Sequence, residues 1–174
     1  SDRLFSNTSA IFSNYDYQFG IGVTGFDFKV NAAIDDINLK QDFTFFPNAQ
    51  NTIKFGLNFI NHTFQPTSLD AGEFSSFNDS KTTQRFAYEG GAYAQNDWKI
   101  SDRFGLQYGV RYSFFDYHGK GTAYTFDENG IKTGEKDYKK GESIQFYGGF
   151  EPRLGLKFQI DESSSIKGGV SRNI

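Results

Sequence analysis

Phe104-Gly-Leu-Gln-Tyr-Gly-Val-Arg-Tyr-Ser-Phe114 is the stretch whose reading decides the fold. Its even positions are Phe104, Leu106, Tyr108, Val110, Tyr112 and Phe114, and its odd positions are Gly105, Gln107, Gly109, Arg111 and Ser113. Side chains of a β-strand alternate between two faces, so this run has one apolar, uncharged face and one small or polar face. Eleven residues is also about the length of a tilted strand that crosses a bilayer. A slip of one residue would turn Arg111 toward the apolar side, at a cost of roughly 2–4 kcal/mol if that side met lipid near its midplane.

The same alternation extends outward in both directions. Phe86, Tyr88, Gly90, Ala92, Ala94, Trp98 and Ile100 oppose Glu89, Tyr93, Gln95, Asp97 and Lys99. Phe150, Leu154, Leu156, Phe158 and Ile160 oppose Glu151, Arg153, Lys157 and Gln159. Earlier, Ile53, Phe55, Leu57 and Phe59 alternate with Lys54, Gly56 and Asn58, and Ile37, Leu39, Phe43 and Phe45 with Asp36, Asn38, Lys40 and Asp42. We expect antiparallel strands near 33–46, 51–64, 85–100, 103–116, 149–160 and 165–173, paired in sequence order. A weaker strand over about Leu4–Tyr17 brings the expected number to seven.

The connections sort into two kinds. Short polar turns are expected at 47–50, 101–103 and 161–164, and long polar connections at roughly 18–32, 65–84 and 116–148. Outer-membrane barrels sort their loops in this way, with short turns on the periplasmic side and long loops outside. Phe45, Phe46, Phe86, Tyr88, Trp98, Phe104, Tyr112 and Phe114 gather near strand ends, as interfacial aromatic girdles do.

Composition agrees. Mean hydropathy is −0.58, yet aromatics make up 18% of the chain, with 21 Phe and 10 Tyr. Alternating barrel strands reconcile the two, because lipid-facing and lumen-facing side chains average out. No run approaches the ~20 apolar residues of a transmembrane helix. A net charge of −3 offers no footprint for nucleic acid. The absence of Cys removes thiolate metal sites, and His62 and His118 are the only histidines, so no metal or cofactor is expected. No nucleophile–base constellation stands out, and no enzyme activity is expected.

The reading is therefore all-β: a segment of an antiparallel, up-and-down transmembrane barrel. Residues 1–174 are read as part of one outer-membrane barrel domain. The chain opens on Ser1 without a Met or signal peptide, consistent with a processed form or an internal piece. Single-chain bacterial barrels have even strand numbers from eight upward, so seven strands are expected to form an open section. The short turns recur about every 55–60 residues, a pitch at which a 22-stranded barrel takes about 600 residues.

From residue 89 onward the chain resembles a known family. Glu89-Gly-Gly-Ala-Tyr-Ala-Gln-Asn-Asp-Trp-Lys-Ile-Ser101, followed by Leu106-Gln-Tyr-Gly-Val-Arg-Tyr112, resembles the Tyr-x-Gln-Asp-x-Trp and Gly-x-Arg-Tyr strand pair of TonB-dependent outer-membrane receptors. Phe150-Glu-Pro-Arg-Leu-Gly-Leu156 and Ser165-Ile-Lys-Gly-Gly-Val-Ser-Arg172 look like the next two strands, and Ile34–Thr44 with Lys54–Asn58 like the preceding pair. The likeness spans about 33–173. It implies a section of a transporter importing a scarce large nutrient, of the siderophore-iron, cobalamin or glycan type. It also implies a lumenal plug, the remaining barrel and a TonB partner, with no plug domain or TonB-contacting segment read within residues 1–174. A passive porin or small structural barrel is the alternative, and a secreted carbohydrate-binding β-sandwich stands behind it.

On this reading Glu89, Gln95, Asp97, Arg111, Glu151, Arg153 and Lys157 project into the lumen and contact the plug. Carboxylates and guanidiniums on adjacent strands can pair across such a wall. Leu106, Tyr108, Val110, Leu154, Leu156 and Phe158 face lipid. Tyr117, Tyr124, Phe126 and Tyr138 are the loop residues placed to touch a substrate. Asp127-Glu-Asn-Gly130 reads as an Asn-Gly hairpin turn inside the last long connection, in preference to a calcium loop.

Overall fold

Each alternating run becomes a strand, and no helix occurs among the described residues, which are 3–23, 27–71 and 82–174 of a computed structural model. The strands are β1 Leu4–Ile21, β2 Phe28–Asn48, β3 Asn51–Ala71, β4 Arg85–Lys99, β5 Phe104–His118, β6 Gly121–Phe126, β7 Lys132–Tyr138, β8 Ser143–Gln159 and β9 Ser165–Ser171. Seven of them form one antiparallel sheet in the order β1-β2-β3-β4-β5-β8-β9. The other two, β6 and β7, form a separate hairpin. The seven expected strands are thus the seven of the main sheet, and the hairpin raises the number to nine.

The register follows the pattern. Phe104 pairs with Phe158, Leu106 with Leu156, and Tyr108 with Leu154, while Gly109 pairs with Arg153 and Arg111 with Glu151. Directly opposed residues share a face. Leu106, Tyr108, Val110, Leu154, Leu156 and Phe158 therefore lie on one face, and Arg111, Glu151, Arg153 and Lys157 on the other. The rows continue through β4, where Trp98 pairs with Leu106 and Gln95 with Gly109.

Among the described residues nothing packs on the apolar face. Ala87 is the one buried hydrophobic side chain among the described residues, while Phe12, Phe150 and Val170 are 71%, 64% and 69% exposed. A β-sandwich would bury such residues between two sheets about 10 Å apart. This chain forms a single layer, with neighbouring rings in contact along its surface: Phe43 on Phe55 at 5.0 Å and Tyr112 on Phe150 at 5.0 Å.

The short turns lie where expected. Ser101 Oγ accepts from the amides of Arg103 and Phe104 at 3.3 and 3.1 Å, closing the β4–β5 turn. In that turn Lys99 donates to Asp102 and holds its carboxyl below the usual range. In the β8–β9 turn the Ser163 amide donates to Asp161 Oδ1 at 2.9 Å and, with the Ser163 hydroxyl, does the same for Asp161.

The opposite end departs from expectation. The connection read at 18–32 is short, because β1 runs to Ile21 and β2 starts at Phe28. Likewise β3 runs on to Ala71, and β8 begins at Ser143 rather than 149. For β1–β3 the cause is an exchange of character between the faces. Past Phe12, Ile37 and Phe59, the face that carries Phe43 and Phe55 becomes polar. Asn14 there donates to Asp35, Gln18 Nε2 to Asn31 Oδ1 at 2.8 Å, and Asn31 Nδ2 to Asp70 Oδ2 at 2.8 Å. The other face takes up Tyr15, Tyr17, Phe19, Ile34 and Phe64. A reading that requires one face to stay apolar ends where the faces swap. Pro66 falls in a register irregularity between Gln65 and Ser68, where its missing N–H breaks no regular ladder bond. Phe46 is also on the opposite side from Phe45, with its ring edge-to-face on Phe5 at 5.9 Å.

Candidate functional site: the polar face of the sheet

Below the exchange of faces, alternation places the charges of β2, β3, β4, β5 and β8 on one face, and cross-strand register brings several of them into contact. Near the exchange of faces, His62 Nδ1 lies 2.8 Å from Asp36 Oδ1 and its Nε2 lies 3.4 Å from Glu89 Oε2. The second contact has no hydrogen-bond geometry, so we take Asp36 as the partner that fixes the ring. Mid-sheet, Lys40 Nζ sits 2.9 Å from Asp42 Oδ2, and the Tyr93 hydroxyl donates to Asp42 Oδ1 at 2.9 Å. Toward the short turns, Lys54 lies 3.5 Å from Asp97, which also accepts from Gln107 Nε2 at 2.6 Å.

A cavity of about 380 Å³ lies against this face. Its lining comes from five strands and includes Lys40, Lys54, Tyr93, Gln95, Arg111 and Arg153, so the sheet curves around it. A larger depression of about 1030 Å³ at the short-turn end takes its lining from both faces, Leu106 and Leu156 as well as Gln107 and Lys157, and so does not belong to the polar side alone.

The expected polar-face residues share that face by register, but their bonding differs from the expected cross-wall pairs. Arg111 stands opposite Glu151, yet no ion pair joins them among the described residues. Its guanidinium instead donates to Ser113 Oγ at 2.8 Å and to Asn58 Oδ1 at 3.3 Å, two strands away. Gly91 makes the route: a Cβ there would meet Arg111 Nε and Nη2 at 3.3 Å. Sequence reasoning missed Asn58, Ser113 and Gly91 as partners of Arg111, since none has a pattern of its own without the register. Alternation alone puts Asp36, Asp42 and Tyr93 on the polar face, and their contacts with one another and with His62 emerge only from three strands read together.

The loop aromatics divide. Tyr117 lies on β5, where its hydroxyl accepts from Arg85 Nη1 at 2.9 Å. Tyr124 and Phe126 sit two apart on β6 and share one face of the hairpin, exposed, with Lys132 over the Tyr124 ring at 4.5 Å. Tyr138 ends β7 beneath Lys136. The turn between β6 and β7 contains Gly130 at φ 77°, and Asp127 Oδ1 accepts from the amides of Asn129 and Ile131 at 2.9 and 2.8 Å. The Asp127 carboxylate is thus spent on the turn itself.

A one-layer antiparallel meander, apolar on one side and charged on the other, defines a membrane β-barrel wall. The family comparison agrees: the profile of an outer membrane beta barrel domain matches residues 24–172, and the chain belongs to that family. No curated protein and no solved structure matches it at a significant level.

Proposed function

We propose that the chain is a wall section of a TonB-dependent outer-membrane transporter that imports a large, scarce nutrient. The observation that carries this reading is the open sheet. Within the described residues β1 and β9 are the two outer strands and do not pair with each other. Unpaired N–H and C=O groups in hydrocarbon each cost several kcal/mol, so further strands must close the wall. A small eight-stranded barrel would bring its first and last strands together. The order of Tyr93-Ala-Gln95-Asn-Asp97-Trp98, Gly109-Val-Arg111-Tyr112 and Pro152-Arg153 along paired strands supports the transporter over a passive porin.

On this reading Leu106, Tyr108, Val110, Leu154, Leu156 and Phe158 meet outer-membrane lipid. Glu89, Gln95, Asp97, Arg111, Glu151, Arg153 and Lys157 face the lumen, where they hold a plug domain. The outer lipid boundary crosses β1–β3 where the faces exchange, near Phe12, Ile37 and Phe59. β2 and β3, at 21 residues each, exceed the 9–11 a crossing takes, so about ten residues, roughly 30 Å of strand, stand beyond it. Tyr124, Phe126 and Tyr138 lie on the exterior hairpin and meet a glycan or chelate first, and no step of covalent chemistry is assigned.

The test is energy dependence. Cells expressing the protein are assayed for uptake of candidate ligands with and without a protonophore or TonB. Uptake that collapses in both cases supports the transporter. Uptake that persists at the same rate makes the protein a passive porin.

A further inference from the structure

We infer that the 380 Å³ cavity between Lys40, Lys54, Arg111 and Arg153 is a binding site for an oxyanion, a carboxylate or a phosphate. The inference rests on the polar face being the lumen. Four cationic side chains line the cavity and no carboxylate does. Asp42 and Asp97 each offset one lysine from outside the lining, while neither arginine makes an ion pair among the described residues.

Arg111 is aimed rather than idle. Glu151 stands directly opposite it in register, but the guanidinium lies over Gly91 and takes the neutral acceptors Ser113 and Asn58. Two neutral bonds fix its plane and leave other N–H donors of its fork unused. Arg153 makes no hydrogen bond or ion pair among the described residues, and neither does the Gln95 amide beside it. A planar guanidinium held in place, a second one free, two ammonium groups and an amide suit an oxyanion that accepts several charge-assisted bonds at once.

The oxyanion has two possible sources. It is a free carboxylated or phosphorylated solute passing through the lumen, or the Asp or Glu side chain of a polypeptide seated there. The test is calorimetric titration of the detergent-purified protein at low salt with two probes, inorganic phosphate and a blocked tetraglutamate peptide. We expect saturable binding of at least one probe, weakened roughly tenfold or more in Arg111→Gln and in Arg153→Gln. Lys140→Gln, exposed in the β7–β8 connection and outside the cavity, changes binding less than twofold. Phosphate binding alone assigns the site to a solute, and peptide binding alone to a lumenal segment. If neither probe saturates, or if all three variants bind as the parent does, the inference is overturned. Arg153→Gln removes no bond within the sheet and keeps the test readable if Arg111→Gln fails to fold. A spin label at Gln95 separates the two levels: a water-inaccessible label refutes the lumen reading itself, whereas an accessible label without probe binding refutes only the anion site.

Discussion

At the scale of single residues, the side of the sheet decides what a substitution does. Leu156 and Gln107 lie on neighbouring strands but on opposite faces. Leu156→Arg places a charge in lipid and is expected to destabilise the protein by about 2–4 kcal/mol, whereas Gln107→Arg on the wet side changes stability by less than about 1 kcal/mol. Unfolding in lipid vesicles, followed by the heat-induced shift on electrophoresis, measures both. Sidedness of this kind was legible in the sequence, because alternation over 104–114 leaves Arg111 one face to occupy. Its actual partner was not. Asn58 lies two strands away, and only the β3–β4–β5 register with a glycine at 91 brings the two together. The turn carboxylates add a pH dependence. The Asp161 carboxyl, held below its ordinary range by the Ser163 amide, stabilises the β8–β9 turn above the unfolded carboxylate pKa. That contribution is lost as pH falls through the lower folded value. A carbon-13 NMR titration should give Asp161 a midpoint below 3.8, and a midpoint at or above it would remove this role.

Among the elements, the hairpin β6–β7 and the long β1–β3 unit behave differently. The hairpin pairs only with itself and joins the sheet through His118 and Ser143. Replacing residues 121–138 by a short Gly-Ser linker should leave the seven-stranded sheet and its thermal stability intact while removing Tyr124 and Phe126. A loss of folded protein would show that the hairpin supports the wall. Gly130, at φ 77°, tolerates little else: Gly130→Val should loosen the turn by about 1–2 kcal/mol, seen as faster amide exchange at Asn129 and Ile131. The turn at Gly130 was legible because glycine accepts positive φ without strain, and Gly130 alone adopts it there while Asn129 does not. The outer ends of β1–β3 were not. Their polarity swaps faces beyond Phe12 and Ile37, so the pattern that marked the strand lower down appears to end while the hydrogen-bond ladder continues.

For the whole molecule, strand number, order and face were legible, because each short turn and each alternating run is local. How the wall closes was not, since closure depends on partners that β1 and β9 do not find in each other. The central claim is that the sheet is a membrane wall with lipid on the Leu106 side and water on the Arg111 side. Spin labels placed singly at 104 through 114 in vesicle-reconstituted protein test it most directly, with collision rates read for lipid-soluble oxygen and for a water-soluble nickel chelate. The account predicts a period of two, with even positions exposed to oxygen and odd positions to nickel. It also predicts that the oxygen alternation ends beyond Phe12, with nickel reaching positions 14, 16 and 18, where the outer face is wet. Labels at the even positions protected from both reagents would mean a dry protein core, and the membrane reading would fall.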